Sequence, residues 1–323
     1  MTTALLFPGQ GSQEPGMGRD LAEADREIMD LWKKAERISG VSLREIFWDG
    51  TESDMAQTRN LQPALTVVNL ALWRKLSPRL SPAATAGHSL GEYSALAAAS
   101  VLPFDTILEL ASLRGRLMSE ADPEGNGAMA AIVKLSLSQV EDCVAEAHKA
   151  TGDVILVANY NTPTQFVVSG TRAAIAKAQE YAKTAKGRAI PLAVSGAFHS
   201  PLMNEAAAEL GKAIDGIPKS AWEKARFPVY CNAAPKAETD PLIIKDLLKK
   251  QMTSSVRWID TIICQWQDNC RVFVECGPKG VLSKMVSPIL KEYPQAASMH
   301  TEETPAWRVF NAGTMQQVKD FSL

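Results

Sequence analysis

Ser89 stands in the run Gly87-His88-Ser89-Leu90-Gly91, a spacing that suits a nucleophilic hydroxyl. A serine raised on a sharp strand-to-helix turn sits in strained backbone. Glycines two residues to either side remove the Cβ atoms that would strike the neighbouring strand and helix. The same turn aims the next amide, the N–H of Leu90, at the point where an oxyanion would form. A tight turn with an idle serine fits the same five residues. The short apolar strand before the motif and the alanine-rich helix after it favour the reactive reading.

Such a serine needs a base, and the chain holds four histidines. His88 adjoins the serine and is expected to point away from it. His148 ends a helical pattern among charged residues, and His300 lies near a weakly patterned tail. His199, in Ser195-Gly196-Ala197-Phe198-His199-Ser200, follows a strand and precedes a helix, in a glycine-loosened loop. Catalytic groups collect in such loops, and a neutral imidazole can take the serine proton and return it to a leaving group. Capping of the helix that begins at Pro201 is the structural alternative.

Arg114 shares a helix face with Ile107, Ala111 and Met118, so it occupies a slot that should be apolar. An unpaired buried guanidinium is costly. Its partner is either a carboxylate of this chain or a substrate carboxylate gripped bidentately. Arg116 points elsewhere and can be solvated. Gln10, in Pro8-Gly9-Gln10-Gly11-Ser12-Gln13, closes the first apolar run. A phosphate loop is excluded there because its Gly-Lys-Ser/Thr ending is missing. An oxyanion donor and an ordinary strand-to-helix turn both fit.

The elements that must carry these residues alternate. Apolar runs at Ala4–Phe7, before Gly87, at Pro228–Cys231 and at Val272–Cys276 read as buried parallel strands. Helical patterns lie at 20–39, 61–76, 104–120, 201–213 and 241–251, giving an α/β fold with a mainly parallel sheet. Between about 125 and 196 the order is βαββαβ: strands 128–133, 154–158, 165–169 and 188–194, with helices 136–149 and 171–186. This is a ferredoxin-like arrangement able to close its own small sheet. The expected division is 1–125 with 197–323 as the large unit, and 126–196 as a small subdomain inserted into it. The tail from about 301 has weak signals.

Bulk properties narrow the function class. The 323 residues are 46% apolar and 22% charged, with a net charge of −2, which gives no global attraction to nucleic acid or anionic membrane. No apolar run approaches a membrane span. The five cysteines lack the two-residue gaps of zinc or redox motifs and read as reduced thiols. With no basic region before Ala4–Phe7, a secretory signal is not expected and the cytoplasm is the expected location.

Taken together, these segments resemble the malonyl-CoA:acyl-carrier-protein transacylases of fatty-acid synthesis and the acyltransferase domains of polyketide synthases. The matching stretches are Phe7–Gln13, Gln62-Pro63-Ala64, Gly87–Tyr93, Arg114-Gly115, Asn159–Pro163, Gly196–Ser200 and Glu275–Pro278, in the family's order. The resemblance implies an α/β-hydrolase-like large subdomain with the same ferredoxin-like insertion. It implies Ser89 as nucleophile, His199 as base, the amides of Gln10 and Leu90 as oxyanion hole, and Arg114 as the malonyl-carboxylate binder. Gln251 falls where the family places a backbone carbonyl that orients the histidine, although Ser255 stands where a proline is usual. Phe198 resembles the aromatic of malonyl-selective members and implies malonyl over methylmalonyl. The implied reaction passes malonyl from coenzyme A to the phosphopantetheine thiol of an acyl carrier protein, through a ping-pong malonyl-serine. No metal or other cofactor, no nucleic acid and no membrane are implied, and a monomer supplying fatty-acid synthesis is expected. A trans-acting polyketide-synthase acyltransferase and a serine thioesterase or hydrolase are the alternatives; the latter usually has an acidic third triad member, for which the sequence offers no obvious candidate.

Overall fold

Short apolar runs that end in glycine build the central strands, as the sequence leads one to expect. The computed structural model describes residues 2–301 and 304–322. Among these, the strands are β1 (Thr2–Phe7), β2 (Ala84–Gly87), β3 (Gly127–Val133), β4 (Ile155–Thr162), β5 (Gln165–Thr171), β6 (Arg188–Pro191), β7 (Val229–Cys231), β8 (Ala234–Glu238), β9 (Cys270–Glu275) and β10 (Arg308–Asn311). The larger sheet has the order β10-β9-β1-β2-β7-β8. All its pairings are parallel except the β7–β8 hairpin.

β1 is buried on both faces, which is how a parallel strand covered by helices must read. Leu5 and Phe7 face one core, with the helices Thr58–Leu76 and Phe104–Glu120. Ala4 and Leu6 face another, with Trp258, Phe273 and Val286. Phe7 is in register with Gly87, so β1 and β2 end at the same sheet edge. That register brings the Pro8–Gln10 turn beside Ser89. No helix among the described residues is long and apolar enough to cross a membrane.

The smaller sheet has the order β4-β5-β3-β6 and is antiparallel throughout. The helices Leu137–Thr151 and Arg172–Thr184 pack on it around Ile132, Phe166, Val168 and Ile175. Ser136 and Gln139 start the first helix with a reciprocal capping box, and Thr171 caps the second. The βαββαβ order therefore closes as a ferredoxin-like sheet.

Several bounds differ from expectation. The pattern over 20–39 is two helices, Arg19–Ala24 and Arg26–Ser39. Asp25 between them is extended (φ −144°, ψ 116°), and its carboxylate accepts from the Glu27 N–H to start the second. β4 continues past Ala158 to Thr162, with register shifts that an alternating pattern does not announce. β6 stops at Pro191, short of Val194. The weakly patterned tail supplies β10, a half-buried edge strand paired to β9. The helix expected over 241–251 ends at Lys250 and passes into a 3₁₀ turn, Gln251–Thr253.

Candidate active site

Ser89 takes φ 51°, a left-handed conformation uncommon for a residue with a side chain. The turn closes only because of its glycines. A Cβ on Gly87 would lie 1.9 Å from the Gly91 carbonyl carbon, and one on Gly91 would lie 1.9 Å from the Phe7 carbonyl oxygen. A Cβ on Gly9 would meet the His88 carbonyl oxygen at 2.4 Å, so the first turn and the serine turn are pressed backbone to backbone. Gln10 and Leu90 both line the cavity, and among the described residues their amides have no acceptor. The Gln10 side chain turns aside to Thr58 Oγ1 at 3.3 Å.

His199 reaches the serine. Its Nε2 is 2.8 Å from Ser89 Oγ, and its Nδ1 is 3.0 Å from the Ser254 carbonyl and 3.2 Å from the Gln251 carbonyl. Two acceptors at Nδ1 place the ring proton there and leave Nε2 to accept the serine hydroxyl proton. The chain leaves the helix Pro241–Lys250 here for a 3₁₀ turn that aims both carbonyls at the ring, and the Gln251 carbonyl also accepts from the Ser254 N–H at 3.3 Å. Ser200, rather than His199, caps the following turn, accepting from the Leu202 N–H. His199 also has positive φ, 57°. Burial, then the charge of Arg114, then that of His88 pull its pKa down to about 3, so the imidazole is neutral.

Arg114 occupies the apolar face with Ile107, Ala111 and Met118, all buried. It is 1% exposed, yet among the described residues no carboxylate lies within ion-pair distance. Nη1 donates to Gln62 Oε1 at 2.9 Å; Nη2 donates to Gln251 Oε1 and to Ser89 Oγ, both at 3.1 Å. Gly115 lets this helix approach the helix Thr58–Leu76: a Cβ there would be 3.0 Å from the Thr58 carbonyl oxygen. Burial lowers the guanidinium's pKa. Arg116 pairs with Glu120 at the surface, as expected. A cavity of about 220 Å³ opens on Ser89, His199 and Arg114, walled by Phe198 and, from the small sheet, by Met129 and Asn159. No group of three or more His, Cys, Asp or Glu that could hold a metal ion occurs among the described residues.

A family model described as acyl transferase domain matches residues 4–318. The chain belongs to the acyl transferase family. This acyl transferase is 38% identical over 301 residues to the malonyl CoA-acyl carrier protein transacylase of Haemophilus influenzae, covering 92% of this chain and 95% of that one. It superposes on an acyl carrier protein S-malonyltransferase from Vibrio cholerae with a TM-score of 0.86 at 35% identity over 99% of both chains. It also superposes on a malonyl-transacylase in complex with its type II PKS acyl-carrier protein, with a TM-score of 0.88, 32% identity and coverage of 99% and 98%.

The acyl transferase site also contains groups to which the sequence reading gave no role. Ser254 supplies the nearer carbonyl to His199. Gln62 holds Arg114, and the Gln251 side chain donates to the Ser89 carbonyl at 2.7 Å while accepting from Arg114. His88 turns from Ser89 to Asn161 Oδ1 at 2.8 Å, as its place beside the serine led one to expect. Ser255 uses the hydroxyl that a proline lacks to donate to the Val157 carbonyl at 2.8 Å, tying this segment to β4. Asn232 and Glu92 form a buried network behind the serine. Their available signal was position: Asn232 follows an apolar strand at the sheet edge where α/β folds bind ligands, and Glu92 is the lone acid in a small-residue helix.

Proposed function

We propose that this acyl transferase moves malonyl from coenzyme A to the phosphopantetheine thiol of an acyl carrier protein, by way of malonyl-Ser89. The observation that carries the proposal is Arg114, a buried cation with no carboxylate within ion-pair distance among the described residues, whose Nη2 lies 3.1 Å from Ser89 Oγ. An acyl group ending in a carboxylate can satisfy that charge while its thioester carbon meets the serine. The named activities of the relatives agree with this reading.

In the first half-reaction Ser89 Oγ attacks the thioester carbon and its proton passes to His199 Nε2. The amides of Gln10 and Leu90 receive the developing oxyanion, a contribution of ~10²–10³ in rate for each such donor. The C–S bond breaks, and the departing thiolate takes the proton from His199. In the second half the carrier thiol gives its proton to His199 and attacks malonyl-Ser89, and Ser89 leaves with that proton. Backbone carbonyls at Nδ1 suffice because a thioester already has a good leaving group. Phe198 narrows the cavity against an α-methyl substituent. We take residues 126–196 as the inserted subdomain, and the working enzyme as a cytoplasmic monomer without metal or other cofactor.

Trapping labelled malonyl on the protein tests the reading. Label is expected on the parent and absent from Ser89→Ala; undiminished labelling of that variant removes the nucleophile. Carrier loading in excess of free malonate release separates transfer from hydrolysis.

A further inference from the structure

Two side chains grip the backbone of Ser89, Gln251 at its carbonyl and Asn232 at its N–H. Asn232 Oδ1 accepts from the Ser89 N–H at 2.7 Å, and Asn232 Nδ2 donates to the Gly87 carbonyl at 2.7 Å. One amide thus ties the peptide groups on both sides of His88. The backbone N–H of Asn232 in turn donates to Glu92 Oε2 at 2.7 Å. Asn232 is 1% exposed and Glu92 0%. Sheet register delivers the contact: Ala86 on β2 lies opposite Tyr230 on β7, so two residues further on position 232 comes opposite position 88.

We infer that Asn232, braced by Glu92, is a positioning residue that clamps the nucleophile turn of this enzyme. It touches no reacting atom and acts through the backbone of Ser89. Two features follow from the clamp. The position needs a donor at one end and an acceptor at the other, which an amide supplies and a carboxylate does not. The Ser89 N–H is also committed to Asn232, which leaves the Leu90 N–H as the free amide of the turn for an oxyanion.

The test compares Asn232→Ala and the isosteric Asn232→Asp with the parent in full malonyl transfer to carrier protein, with thermal melts alongside. Asn232→Ala is expected to lower kcat by ~10²-fold with KM for malonyl-CoA within about two-fold, because geometry at the nucleophile is lost while substrate contacts stay. Asn232→Asp carries the distinguishing signature. Ionised, its carboxylate faces the Gly87 carbonyl with no proton to give; protonated, it can donate there and still accept from Ser89.

The groups around that carboxyl are Glu92 from the following helix, Cys231 on its own strand with Glu238 of β8 nearby, Arg114 and Gln251 beyond Glu92, and His199 across Ser89. The nearest titratable group is the Glu92 carboxyl, which favours the protonated form wherever it is ionised. The activity of Asn232→Asp relative to the parent is therefore expected to rise at least about ten-fold as pH falls from about 8 to about 6. A folded Asn232→Ala that keeps kcat within about three-fold, or a flat ratio for Asn232→Asp, overturns the clamp, and so does failure of both variants to fold. The inference rests on Ser89 as nucleophile. Ser89→Ala that still takes label overturns that reading, whereas loss of label there beside unaffected Asn232 variants overturns the clamp alone.

Discussion

Replacing Arg114 with methionine should abolish most malonyl transfer while leaving the fold as stable as before. Among the described residues the guanidinium makes three bonds, all to neutral oxygens, and its Nε has no partner. Taking a charge out of water costs several kcal/mol, and hydrogen bonds to a charged donor return roughly 1.5–3 kcal/mol each. These opposing contributions nearly cancel in the empty enzyme, so removing both should shift stability by no more than ~1 kcal/mol, or about 2–4 °C in Tm.

With malonyl bound the balance is different. Breaking a buried ion pair by deleting one partner costs ~3–5 kcal/mol, which at ~1.36 kcal/mol per decade is a roughly 160- to 5,000-fold fall in kcat/KM for malonyl-CoA. Acetyl-CoA leaves the parent guanidinium unpaired, so Arg114→Met should raise its kcat/KM by roughly ten-fold. The assay is carrier loading from each thioester, with a thermal melt of the same preparations. Equal losses for both thioesters together with a Tm drop above about 10 °C would refute the reasoning and make Arg114 a structural cation.

Burial pushes the Glu92 carboxyl up to about 7 from an ordinary 4.5. A raised folded-state pKa means stability present below 4.5 and lost as pH rises through about 7. Glu92→Gln should therefore match the parent in acid and exceed it by on the order of 3 kcal/mol at about pH 8; a constant difference across pH would count against this. His199, depressed to about 3, stays neutral far below the ordinary histidine range. The acid limb of kcat/KM should lie below about pH 5 and move up in Arg114→Met, whereas a limb near 6.5 in both would contradict the site's electrostatics. The same shift means the unfolded chain binds a proton between about 6.5 and 3 that the folded chain refuses, so His199 withdraws stability as pH falls through that window. Phe198, 5% exposed beside the base, should on change to leucine raise methylmalonyl relative to malonyl transfer by roughly ten-fold. An unchanged ratio would assign selectivity elsewhere.

Much of the site was legible because its constraints are local. Gly87 and Gly91 report a turn that no Cβ survives, and Arg114 reports itself as a charge on an apolar helical face. The βαββαβ order around Ile132 and Phe166 was likewise carried by residue patterns of period two and 3.6. What the sequence left open is where backbone groups, rather than side-chain types, provide the chemistry. The Ser254 and Gln251 carbonyls orient His199, yet every residue has a carbonyl, and only the folded 3₁₀ turn after the helix aims these two at the ring. Asn232 stands 143 positions from Ser89 and meets it through the β2–β7 register. Spacing along a chain encodes contacts within one turn or one strand, whereas contacts between elements come into being only when sheet order and register bring them together.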